Sequence, residues 1–168
     1  TFVVAKEQRD VEFSILLPVR KKDIVRARFI TLISMEMIQI IVAAIFAIIS
    51  IKLYPYGNSW LLDPNFAFFG FVFIMYAIFN SIFMPMYYKT GFKIALPVTI
   101  SLVVTMIFTV AVEYFVQTQP LLKKYLDTLN NDMILIQLAV LAAGILIFAI
   151  SMILSCKKAV KNFEMMDI

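Results

Sequence analysis

Apolar residues run through this chain in four long blocks, with the polar residues gathered between them. The blocks are Phe29 to Ile51, interrupted by the single charge of Glu36, and then Phe66 to Met84, Ile94 to Val112 and Met133 to Ser155, which hold no charged side chain. They are 23, 19, 19 and 23 residues long. At about 1.5 Å of rise per residue each is roughly as long as the 30 Å hydrocarbon core of a bilayer, which predicts an all-α polytopic membrane protein with four transmembrane helices. The longest stretch outside the blocks is residues 1–28. That leaves no room for a folded aqueous domain, so residues 1–168 read as one transmembrane domain with a short tail at 156–168.

The segments between the blocks carry patterns of their own. Phe13, Leu16 and Leu17 stand at i, i+3 and i+4, one stripe of a short helix that Pro18 ends or bends. A second helical start follows through Ile24 and Val25 into the first block, giving the shape of an elbow at a membrane surface. Its apolar stripe beside dense charge suits either a partner's hydrophobic groove or the lipid headgroup layer. Further on, Leu121, Leu122, Tyr125, Leu126 and Leu129 share one arc after Pro120, opposite Lys123, Lys124, Asp127, Thr128 and Asn130. This predicts a short amphipathic helix over 120–130, too short to span.

Composition agrees with the pattern: 62% of residues are hydrophobic and 15% charged, against about 45–50% and 25% in soluble domains. There is no His and one Cys, so a His-ligated metal site, a Cys–His nucleophile pair and an internal disulfide are excluded. No phosphate-loop run is present, and no acid pair or nucleophile–base set supports an intramembrane enzyme. The formal charge of +4 reflects bases beside the spans, which speaks for membrane topology and not for nucleic acid.

Lys6, Arg9, Arg20, Lys21, Lys22, Arg26, Arg28, Lys89, Lys93, Lys157, Lys158 and Lys161 lie on one side of the four spans. Lys52, Lys123 and Lys124 lie on the other, twelve bases against three. This bias predicts that both ends of the chain are cytoplasmic and that the 120–130 helix is external. Tyr54, Tyr56, Trp60 and Tyr114 are expected at the outer interface, and Tyr87, Tyr88 and Phe92 at the inner one. The apolar stub Thr1 to Ala5 lacks the features of a signal peptide and reads as the end of an earlier span. Cys156, beside Lys157 and Lys158, is read as a reduced thiol or a lipidation site.

Polar positions inside the spans are the candidates for chemistry. Ser101, Thr105, Thr109, Glu113 and Gln117 recur every four residues, a stripe that either bonds its own and neighbouring helices or lines a path. Glu36 and Gln39 form a second polar spot, and an intramembrane carboxylate is a site hypothesis by default. Glu36 lies roughly 10 Å past Phe29, which also allows a structural pairing with a base from the preceding loop. Asn80 and Ser81 read as helix contacts.

The run from Leu16 to Phe29, L-L-P-V-R-K-K-D-I-V-R-A-R-F, resembles the cytoplasmic loop of the type 2 ABC-transporter permeases. These are bacterial exporter subunits in which this loop carries a coupling helix. Arg20 stands where the commoner pattern has Ser or Thr as a helix N-cap. The resemblance implies six spans, of which this chain holds the last four, in the cell membrane. It assigns Phe13, Leu16, Leu17, Pro18, Lys21, Lys22, Asp23, Arg26 and Arg28 to contact with a separate ABC ATPase subunit that binds ATP and Mg. It also implies a second permease subunit, identical or paralogous, and an external helix that helps cap the path. The path candidates are Glu36, Gln39, Ser101, Thr105, Thr109 and Glu113, and the lack of a deep charge cluster favours an amphipathic or apolar cargo. The other reading is a non-transport membrane protein, an immunity or assembly factor, whose basic loop binds membrane lipid or a partner.

Overall fold

A computed structural model describes residues 20–53 and 61–165. Among them there are helices and no strand. The order is α1 (Lys21–Leu53), α2 (Phe66–Lys89), α3 (Ala95–Thr118), the short α4 (Pro120–Leu126), a 3₁₀ turn (Asn131–Met133) and α5 (Ile134–Glu164). Four of these are long and apolar enough to cross a membrane, as the hydrophobic blocks predict. Each outruns its block, and in α1 and α5 it is charged side chains with good helix propensity that continue the helix after the apolar pattern stops. Thus α1 begins at Lys21 and α5 runs on to Glu164.

The chain runs up and down, and α2 and α5 form the most extensive helix pair. They are parallel: Gly70 meets Gly144, the Ser155 hydroxyl donates to Ser81 at 3.2 Å, and Asn162 Nδ2 donates to the Pro85 carbonyl at 2.8 Å. Glycine makes the first of these contacts possible. A Cβ on Gly70 would lie 2.7 Å from the Val140 carbonyl oxygen, and one on Gly144 would collide with the Gly70 carbonyl. Backbones approach this closely in membranes because packing and dispersion, not solvent exclusion, hold helices together. Helix α3 leans on α2, and α1 on α5.

Two apolar clusters mark the two ends. The larger lies where α1 starts and α2 and α5 finish, around Val25, Phe29, Met84, Tyr87, Tyr88 and Phe163. The smaller joins Leu62, Ala67, Val116 and Leu126 at the opposite end. Asn65 ties that end together. Its side-chain oxygen caps α2 at Phe68 N–H, 3.1 Å away, and its Nδ2 donates to the carbonyls of Leu126 at 2.6 Å and Thr128 at 3.1 Å. The amphipathic arc of 120–130 is helical only through Leu126. Asp127 leaves the helix and accepts from Asp63 N–H at 2.8 Å and Gln117 Nε2 at 2.9 Å, bonds that outweigh one more helical turn.

Candidate functional site

The basic run divides into parts with different partners. Arg20 has no side-chain oxygen to cap α1, and its carbonyl accepts from Asp23 N–H at 2.8 Å while its Nε bonds the Asp23 carboxylate at 2.8 Å. An acid in the first turn suits the helix dipole. Arg26 reaches the other Asp23 oxygen at 4.0 Å. Lys21 turns inward, donating to the Phe163 carbonyl at 3.5 Å and lying over the Phe163 ring at 5.4 Å. Arg28 donates to the Tyr87 hydroxyl at 3.3 Å. The start of α1 is therefore fastened to the ends of both α5 and α2. Lys22 and Arg26 point to a different face of α1. Phe13, Leu16, Leu17 and Pro18 lie outside the described residues.

The anchor for these bonds is an aromatic cluster that the sequence reading placed at the lipid interface. Tyr87 and Tyr88 are wholly buried. Phe92 packs on both and on Phe163, with ring centroids 5.5, 5.8 and 5.6 Å away. The tight α2–α3 turn folds Phe92 back with a positive φ of 62°, and the Thr90 hydroxyl bonds the Met86 and Lys93 carbonyls at 2.9 and 3.1 Å. Burial in the cluster offsets the left-handed backbone, which costs a non-glycine residue roughly 1–2 kcal/mol. Tyr54, Tyr56 and Trp60 lie outside the described residues.

Glu36 is buried at the meeting of α1, α2 and α5. Its hydrogen-bond partner among the described residues is Asn80, whose Nδ2 donates to Glu36 Oε1 at 2.7 Å and touches Met152 Sδ at 3.8 Å. One turn on, the Tyr76 hydroxyl donates to Gln39 Oε1 at 2.8 Å. Asn80 was legible only as a helix contact. Its pairing with Glu36 depends on how α1 and α2 are rotated, which no local pattern records.

Glu36 Oε2 and Asn80 Oδ1 are both buried without a donor, so the pair is one hydrogen short of a closed acid–amide ring. Glutamine at position 36 supplies that hydrogen. Glu36→Gln is expected to keep thermal stability in detergent within about 0.5 kcal/mol, whereas Glu36→Leu, which strands both polar ends of Asn80, is expected to lose about 1–3 kcal/mol. A Gln variant as unstable as the Leu variant would show that this site requires a carboxyl group.

The polar stripe of α3 is not joined to this pair by any hydrogen bond among the described residues. Ser101, Thr105 and Thr109 each donate to the carbonyl four residues back, to Pro97 at 2.7 Å, Ser101 at 2.7 Å and Thr105 at 3.0 Å. Ser101 is buried and Thr109 exposed. Glu113 accepts from Gln117 at 3.4 Å, and Gln117 Oε1 accepts from Lys123 at 2.8 Å. The stripe thus ends in the polar knot around Asp127, beneath α4.

Among the described residues no group of acids, His or Cys is arranged to hold a metal. The geometry of the described residues is that of a helical membrane body with a buried Glu36–Asn80 contact between α1 and α2 and an anchored basic end. Comparison with curated proteins and with solved structures returns no match. A model of the ABC-2 family transporter proteins matches residues 6–159, nearly the whole chain. The chain therefore belongs to the ABC-2 transporter family and is a multi-pass membrane component of a transport system.

Proposed function

We propose that this chain is the permease subunit of an ATP-driven exporter in the cell membrane, with both ends cytoplasmic. A separate ABC ATPase subunit supplies ATP and Mg chemistry and docks on the loop before α1, and a second permease subunit, identical or paralogous, completes the path. The observation that carries this reading is the double fastening of the α1 start, through Lys21 to Phe163 and through Arg28 to Tyr87. A displacement of the residues before Lys21 is delivered through these bonds to the parallel α2–α5 pair, and not dissipated in a loose linker. These bonds are long, 3.5 and 3.3 Å, and worth about 1 kcal/mol each or less, so the packing of Val25 and Phe29 into the same cluster carries the rest of the coupling. Glu36, Gln39, Ser101, Thr105, Thr109 and Glu113 are the path candidates, and α4 covers the outer end.

Purification of the tagged chain from its native membranes tests the reading. It is expected to bring down an ATPase with a phosphate-loop sequence, whose hydrolysis rises when the two are reconstituted together. Preparations free of any ATPase, with no stimulation on mixing, would refute it.

A further inference from the structure

Lys22 and Arg26 project from the face of α1 that continues through Phe29, Ile30 and Ile33, positions spaced by four, three, one and three. Across from them α5 presents Met152, Ile153, Cys156 and Lys157. Between the two faces lies an open groove of about 520 Å³. No acid lines it. Its walls are apolar, and its three cations, Lys22, Arg26 and Lys157, stand together at one end. Among the described residues Arg26 approaches Asp23 at 4.0 Å, and the three cations outnumber that one acid at the mouth.

We propose that this groove is a binding site for an anionic phospholipid, with the phosphate between Lys22, Arg26 and Lys157 and one acyl chain along Ile30, Ile33 and Ile153. The dimensions agree. From Lys22 to Ile33 is about 16 Å of helix, close to the roughly 15 Å of one leaflet's hydrocarbon, so a chain whose headgroup sits on the cations reaches the groove's deep end. Charge selects the occupant: basic pockets between membrane helices recognise acidic headgroups, and a neutral lipid adds no counter-charge to the three cations beyond Asp23's approach to Arg26. The walls, Ile30 at 65% and Ile153 at 57% exposure, are open toward the surrounding lipid, so a bilayer lipid enters sideways without crossing a polar barrier. The site gives Lys22 and Arg26 to lipid in place of the ATPase contact that the resemblance assigns them, and it is compatible with an ATPase that docks on the residues before Lys21.

Cys156, the only cysteine in the sequence, lies in the groove and serves as reporter. The purified chain in a neutral detergent is treated with a maleimide while dioleoyl phosphatidylglycerol, dioleoyl phosphatidylcholine or inorganic phosphate is added. Phosphatidylglycerol is expected to slow alkylation at least about fivefold, phosphatidylcholine less than about twofold and phosphate not at all. In the variant Lys22→Gln/Arg26→Gln/Lys157→Gln the ratio of rates with and without phosphatidylglycerol is expected to fall to that seen with phosphatidylcholine. Native mass spectrometry of the unmodified chain is expected to retain phosphatidylglycerol in preference to phosphatidylcholine, a readout that does not depend on the variant folding. Equal protection by the two lipids, an unchanged ratio in the triple variant, or protection by phosphate alone would each overturn the proposal. So would a Cys156 that no lipid protects, the result if the chain's own first residues or a second subunit fill the groove.

Discussion

Leu16→Asp and Phe13→Asp are each expected to abolish the stimulation of ATP hydrolysis while the protein still inserts and purifies as the wild type does. Phe13, Leu16 and Leu17 share one stripe ahead of Pro18, and a helix laid in a partner's groove buries such a stripe. An unpaired charge introduced there costs several kcal/mol. About 3 kcal/mol weakens association more than a hundredfold, which empties the complex at ordinary protein concentrations. Insertion is governed by the four apolar helices, none of which is touched. The measurement is co-purification of the ATPase together with its stimulated rate. Unchanged association in both variants would place the stripe in the lipid headgroups and remove the loop from the coupling path.

Gly144→Val is expected to cost about 1–3 kcal/mol, the usual penalty of overpacking, and to lower the midpoint of thermal unfolding in detergent by several degrees. Its Cβ has nowhere to go, because the atoms it meets are the backbone of Gly70 and not the movable end of a side chain. The α2–α5 pair must separate, and the bonds from Ser155 to Ser81 and from Asn162 to Pro85 lengthen with it. Ala143 is the control. It is exposed one position earlier on the same helix, so Ala143→Val adds valine's two methyl groups to a Cβ already accommodated and is expected to leave the midpoint in place. Equal loss in both variants would mean that added bulk anywhere on this stretch of the helix, not the close crossing, sets the effect.

The four spans, their order and the all-α class were legible from the sequence because bilayer thickness imposes a length that no local packing alters, and a run of about twenty uncharged apolar residues satisfies it in one way. Glu36 and Gln39 were legible as a polar spot for the same reason, since lipid makes any polar residue conspicuous. The partners were not. Periodicity says which residues share a helix face, but not which other helix that face meets. Among the described residues it is Asn80 that faces Glu36. Tyr87 and Tyr88, which as aromatic residues at a span end read as interface anchors, are buried because the turn at Phe92 and the continuation of α5 to Phe163 close over them. The end of α4 at Leu126 was likewise decided by Asn65, Gln117 and Asp63, residues ten to more than sixty positions away from Asp127 and its neighbours. Hydrophobicity and length are properties of a segment, and the sequence determined what depends on them. Hydrogen-bond pairing, helix rotation and the crossing at Gly70 and Gly144 are properties of two segments at once, and only the tertiary structure decided those.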